Sequence, residues 1–124
     1  MPLIDFEAGR EYDDDRFTAK TTFESDRAKV LRVYFEPGQF IPVHAPGSDL
    51  VVSVRAGTGV VREDETSHRV EPGDAVVVPA DTPRGIKADG DRHLEALVVT
   101  APPPTDAEHE PVRQGLRRGE FDPD

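Results

Sequence analysis

The strongest constraint on this chain is a turn that occurs twice, Glu36-Pro37-Gly38 and Glu71-Pro72-Gly73. Proline fixes φ at the first corner of such a turn, and glycine accepts the positive φ that a type II turn needs at the second. Short β-forming segments surround both turns. Leu31, Val33 and Phe35 alternate with Val30, Arg32 and Tyr34, and Leu50, Val52 and Val54 alternate with Val51, Ser53 and Arg55. That period of two is the mark of a strand with one buried face. The pattern predicts strands over 17–24, 29–35, 40–44, 50–55, 60–62, 66–70, 75–78, 84–87 and 93–100. Ala56-Gly57-Thr58-Gly59 reads as a hairpin. Pro42 removes a ladder donor, so 40–44 belongs at a sheet edge or is irregular. Many short strands joined by Gly/Pro turns mean an all-β sandwich or barrel.

The chain of 124 residues is one domain with three parts. Residues 1–16 form a polar, acidic arm anchored by Leu3, Ile4 and Phe6, either loose or lying across a neighbouring subunit. Residues 17–100 form the β-barrel. Residues 101–124 are a Pro-rich acidic tail, opened by Pro102-Pro103-Pro104, with one short helix over 111–118 and a loose end.

Charge narrows the partners. Asp and Glu number 25 against 15 Lys and Arg, a net charge of -10, and only Lys20, Lys29 and Lys87 are lysines. Mean hydropathy is -0.56. A dense acidic surface poor in lysine fits concentrated salt, where self-repulsion is screened. With no basic run to contact phosphates, nucleic acid is not an expected partner. No apolar run nears the roughly 20 residues that span a membrane. The start, MPLIDFEAGREYDDD, lacks the basic and apolar regions of a signal peptide, so a cytoplasmic protein is expected. Cysteine is absent, which removes disulfides and thiolate sites.

Gly38, His44 and Gly57, then Gly73, Asp74 and Pro79, fall in the register of two paired motifs. Over roughly residues 30–100 the chain resembles the cupin superfamily. The resemblance implies a double-sheet jelly roll. In metal-binding cupins three histidines and a glutamate meet inside the barrel. Here only His44 matches a ligand position. Pro46, Leu50 and Arg84 stand where a histidine, the glutamate and the third histidine belong. Proline and leucine offer no lone pair, and arginine stays cationic. No cofactor is therefore expected. If a metal does bind, the set would be His44 with His93 or Glu95, which share one face of the last strand. His68 and His109 read as surface residues.

The resemblance also points His44 and Arg84 into one barrel mouth. Arginine's planar fork suits a carboxylate or phosphate, and histidine exchanges a proton near neutral pH. With Tyr34 and Asp49 as further polar contacts and Phe40, Leu50, Val52 and Ile86 as walls, this is a site for a small organic anion. Three readings compete: a metal-free cupin binding such a ligand, a structural or interaction cupin in which Arg84 pairs with Asp81, Asp49 or Glu95, and a metal-dependent enzyme with a rearranged site. A homodimer is expected from the resemblance, through the arm or the apolar faces of the early strands.

Overall fold

A computed structural model describes residues 3–122. Nine strands follow the alternating segments: β1 (Thr18–Glu24), β2 (Lys29–Phe35), β3 (Phe40–His44), β4 (Asp49–Gly57), β5 (Gly59–Glu63), β6 (Thr66–Val70), β7 (Ala75–Val78), β8 (Arg84–Ala88) and β9 (Leu94–Ala101). They form two antiparallel sheets, ordered β1-β2-β9-β4-β7 and β3-β8-β5-β6. This is the jelly-roll sandwich expected from the sequence. Pro42 indeed falls on an edge strand, β3, whose ladder with β8 is interrupted between Ile41 and His44.

The core lies between the sheets. Val33, Phe35, Val52, Val54, Leu94, Ala96 and Val98 enter from the larger sheet, and Val61, Val70, Ile86 and Ala88 from the smaller. Cross-strand partners share a face, and this settles the register of β9. Val33 and Val54 both pair with Ala96, and Val52 pairs with Val98. Even-numbered residues of β9 therefore point inward, while Glu95, Leu97 and Val99 point outward beside Tyr34. The face of β9 that carries Glu95 is thus the one turned away from the core.

The N-terminal arm covers one end of that outer face. Phe6 and Tyr12 meet the Tyr34 ring edge-on at centroid distances of 5.9 and 5.8 Å. The Tyr34 hydroxyl donates to the Phe6 carbonyl at 2.9 Å. Glu95 is only 4% exposed, and a carboxylate so placed needs donors. Arg10 supplies two, at 2.7 and 3.2 Å, and the Tyr12 hydroxyl a third. Burial and the Glu95 carboxylate together raise the Tyr12 pKa well above its ordinary value.

The tail folds with the expected short helix, and its end is held as far as Phe121. A 3₁₀ turn (Ala107–His109) leads into α1 (Glu110–Arg118), with Pro111 in its first turn and Arg117 and Arg118 in its last. Both placements favour a helix. Gly119, at φ 67°, caps the end, and the Glu120 N–H donates to the Gly115 carbonyl at 3.0 Å. The helix lies against β3. A Cβ on Gly115 would come within 2.5 Å of Pro42 Cβ, so only glycine permits this approach. Beyond the helix, Phe121 packs edge-on against Phe40 at 5.8 Å. Pro123 and Asp124, the end of the expected loose segment, lie outside the described residues. No described helix is long and apolar enough to cross a membrane.

Gly57 closes the β4–β5 hairpin at φ 79°, and a Cβ there would sit 1.8 Å from the His93 carbonyl oxygen. Gly38 has φ 80° but open space around it. Gly57→Ala is expected to cost about 3 kcal/mol or more, against about 1 kcal/mol for Gly38→Ala, where only the backbone is strained. Urea unfolding of the two variants measures this; equal losses would show that the close contact is not limiting.

Candidate functional site

One mouth of the sandwich holds a cavity of about 130 Å³. Its walls come from Phe17, Leu31, Ile41, Leu50, Ile86 and Val98, with Pro104 and Val112 closing it from the tail. The polar groups on its lining are His44, Arg84, Thr100, His109 and, at one side, Lys29. The sequence-derived site is therefore partly assembled. His44 and Arg84 are cross-strand neighbours on β3 and β8, and Leu50 and Ile86 are walls as expected.

Tyr34 is not among the lining residues. Its hydroxyl lies on the opposite face of the larger sheet, bonded to the arm. Asp49 is exposed, and its carboxylate accepts the Ala80 N–H at 2.8 Å, bracing the loop before β8. Phe40 turns to Phe121, and Val52 lies deeper in the core.

Arg84 is 3% exposed. Its Nε donates to the Thr82 carbonyl at 2.9 Å, one terminal nitrogen to Ser48 at 2.9 Å and the other to Pro79 at 2.8 Å. Burial lowers the guanidinium pKa from its ordinary value, and the fields of Asp49 and Asp81 oppose that shift. The ion pairs expected for Arg84 are thus long-range attractions to Asp49 and Asp81, while its hydrogen bonds go to backbone carbonyls. Glu95 is not involved.

His44 Nδ1 lies 2.8 Å from the Pro42 carbonyl. A carbonyl only accepts, so Nδ1 carries the proton and Nε2 is the acceptor of the neutral ring. Burial pushes the His44 pKa down; the Pro42 carbonyl opposes this, and the Arg84 and His109 charges reinforce it. His109 is also lowered, by burial first and then by Lys29 and Arg113.

Sequence reasoning missed His109 and Thr100. His109, Val112 and Leu116 stand at helical spacing on one face, a pattern that calls for an apolar surface beneath. Thr100 shares its inward face with Ala96 and Val98. It is 8% exposed, and its Oγ1 is buried without a hydrogen-bond partner.

The donor set does not fit a tightly held divalent metal. Two imidazoles, His44 and His109, face the cavity beside a guanidinium. His93 sits across the sheet, 3.3 Å from Glu36 and stacked edge-on against Tyr12 at 4.5 Å. The set of His44 with His93 or Glu95 is therefore not brought together: Glu95 points outward from β9, and His93, just before that strand, packs against Tyr12. No group of three or more His, Cys, Asp or Glu among the described residues is arranged to hold a metal ion. His68 pairs with Glu63 at 3.0 Å on the smaller sheet.

Both cavity histidines have lowered pKa values, from an ordinary 6.5. The unfolded chain therefore binds protons at these sites at a higher pH than the native protein does. Stability from keeping them neutral is full above pH 6.5 and is lost as pH falls toward the native values. Urea midpoints are expected to drop between pH 7.5 and pH 5.5, and His44→Gln with His109→Gln to flatten that drop. An unchanged slope in the double variant would assign the effect elsewhere.

A family model for the cupin domain matches residues 31–100. Among solved structures, the TT1209 protein of Thermus thermophilus is 32% identical, with 84% of this chain and 100% of that one covered at a TM-score of 0.79. An RmlC-like cupin from Desulfovibrio desulfuricans is 30% identical, covering 83% and 98% of the two chains at a TM-score of 0.73. KdgF from Halomonas sp., at 22% identity, 77% and 87% coverage and a TM-score of 0.67, shares the fold. No curated protein matches. A sequence match across most of the barrel, on top of the same two-sheet architecture, makes this chain a member of the cupin superfamily.

Proposed function

We infer that this cupin binds a compact, uncharged organic molecule inside the barrel, about the size of a six-membered ring and carrying one hydroxyl or carbonyl. The observation that carries this reading is Thr100, a residue on the lining of the mainly apolar cavity of about 130 Å³, whose Oγ1 is buried without a hydrogen-bond partner. An unpaired buried polar group costs roughly 1–3 kcal/mol, and a ligand that bonds it recovers that cost. Apolar cavities of this order accept benzene. The neutral His44 ring adds a second acceptor. An anion, the ligand suggested by Arg84 and His44 in sequence, is less well served, because three of the arginine's donors are held by backbone carbonyls.

Phenol, benzene and benzoate discriminate these ligand classes. Phenol and benzene are expected to shift the NMR methyl signals of Leu31, Ile86 and Val98, with benzoate far weaker. Thr100→Val is expected to weaken phenol about fivefold, equivalent to about 1 kcal/mol, and to leave benzene unchanged. Benzoate binding more tightly than phenol, or no ligand reaching these methyls, would overturn the reading.

A second reading, a scaffold cupin without a ligand, is favoured by one observation: the Arg84 hydrogen bonds tie loops together rather than await a substrate. Under it, Arg84→Met is expected to cost about 3 kcal/mol, since buried carbonyls lose their donors, and Arg84→Lys to rescue little because an ammonium cannot reproduce the fork. Unchanged stability in Arg84→Met, with loss of carboxylate binding, would instead restore the anion site.

A further inference from the structure

The barrel cavity has a one-sided set of ionisable groups. Lys29 and Arg84 bring permanent cations to its lining, and His44 and His109 bring imidazoles. No Asp or Glu lines it, in a chain that has 25 of them. Three of the four basic groups belong to the barrel: Lys29 opens β2, His44 ends β3 and Arg84 opens β8. Only His109 comes from the tail.

The segment that carries His109, residues 104–109, crosses the mouth between two well-held ends. On one side, Ala101 at the end of β9 pairs with Asp49. On the other, α1 buries Val112 and sets Gly115 against Pro42. Between these ends the 3₁₀ turn Ala107–His109 contains no buried residue. Among the described residues, one hydrogen bond joins the segment to the barrel: Glu108 Oε2 accepts the Gly47 N–H at 2.7 Å. Oε1 of the same carboxylate accepts the Thr105 N–H at 2.8 Å and the Thr105 hydroxyl at 3.1 Å. One side chain thus shapes the turn and fastens it. The loop that receives it is braced, by Arg84 on the Ser48 carbonyl and by the Asp81 N–H on the Pro46 carbonyl. A cover with few buried atoms and a single polar fastening belongs to the part of a fold that opens locally, without global unfolding.

We propose that residues 104–109 are a gate over the cavity, latched by Glu108 on Gly47 and released when protonated His109 is repelled by the cations of the mouth, so that a bound ligand leaves as pH falls. The ligand half of this rests on the neutral-ligand reading above; the opening of the gate does not.

The charges around His109 act in this direction. Burial is the largest influence keeping its ring neutral. Lys29 of β2 and Arg113 of α1 add to it, and Asp106 and Glu108 on the segment itself oppose it. His44 of β3 lines the same cavity, and each imidazolium disfavours the other. Arg84 of β8 acts against a charge on His44, and is itself attracted by Asp49 and Asp81. With the gate open, His109 meets water and regains its ordinary 6.5. The open form therefore takes up protons at a higher pH than the closed form, and the closed form loses ground as pH falls through 6.5. Glu108 is not the switch. Hydrogen bonds to Thr105 and Gly47 hold its pKa below the usual carboxylate value, so the latch stays ionised where the histidines titrate.

Amide hydrogen exchange followed by NMR from pH 7.5 to pH 5.5, corrected for intrinsic rates, tests the gate without any ligand. Protection of the Gly47 amide is expected to fall by up to about tenfold, the limit for one histidine that titrates at 6.5 only in the open form. The Val52 and Val98 amides in the core are expected to exchange far more slowly throughout. His109→Gln is expected to remove the pH dependence at Gly47. Phenol, neutral over this range, then tests the link to the cavity. Its dissociation rate is expected to rise with acid in parallel with Gly47 exchange, and Glu108→Ala to raise it at least fivefold at pH 7.5. Gly47 protection that ignores pH, or that still falls in His109→Gln, overturns the proposal. So does a phenol dissociation rate that neither acid nor Glu108→Ala changes. If phenol does not bind at all, the neutral-ligand reading falls instead, and amide exchange alone decides the gate.

Discussion

The barrel mouth depends on one buried cation. Arg84 reaches three carbonyls in two separate loops, one between β3 and β4 and the other between β7 and β8. Burying a guanidinium without a hydrogen-bonded carboxylate is costly. Two things offset the cost here: the aligned carbonyl dipoles, and the attraction of Asp49 and Asp81. The same loops are cross-braced by the Asp81 N–H to the Pro46 carbonyl at 2.9 Å and by Ala80 to Asp49. The residue that replaces a metal-binding histidine of the family pattern thus ties the loops around the mouth, with charge and hydrogen bonds in place of coordination. It also leaves the cavity behind it mainly apolar.

The fold was legible because its signals are local. The Glu-Pro-Gly turns and the alternation in β2 and β4 are set by backbone and side-chain preferences within a few residues. The inward face of β9 was not legible. Residues 93–100 alternate two sets, and both contain apolar members: Leu94, Ala96 and Val98 on one side, Leu97 and Val99 on the other. Only pairing with β2 and β4 decides which set faces the core, and that pairing is long-range. The conditional metal set of His44 with His93 or Glu95 needed the other choice of face, and Thr100 went unnoticed. For Arg84, sequence register placed the side chain at the mouth, yet gave no hint of its partners. Those are backbone carbonyls, which every residue has and no residue type announces.

The two ends of the chain show a division of labour between apolar and charged contacts. The arm lays Phe6 and Tyr12 on Tyr34, and beside them the partly exposed Arg10 reaches the buried Glu95 carboxylate at 2.7 Å. The tail lays Val112 over the cavity and ties itself down through Glu108, which accepts the Gly47 N–H at 2.7 Å. Hydrogen bonds to that carboxylate lower its pKa. In an acidic chain, carboxylates of this kind serve as acceptors for backbone donors as well as solvated surface.

The C-terminal segment also acts on β3. As an edge strand, β3 presents unpaired donors, and the Val43 N–H is taken by the Phe121 carbonyl at 2.7 Å. Phe121 is almost the last residue of the described chain, whereas β3 is made early. During vectorial synthesis on the ribosome, β3 must therefore wait with its edge unsealed while nearly eighty further residues are translated. Its proline and broken ladder blunt that edge against pairing with neighbouring nascent chains in the interval.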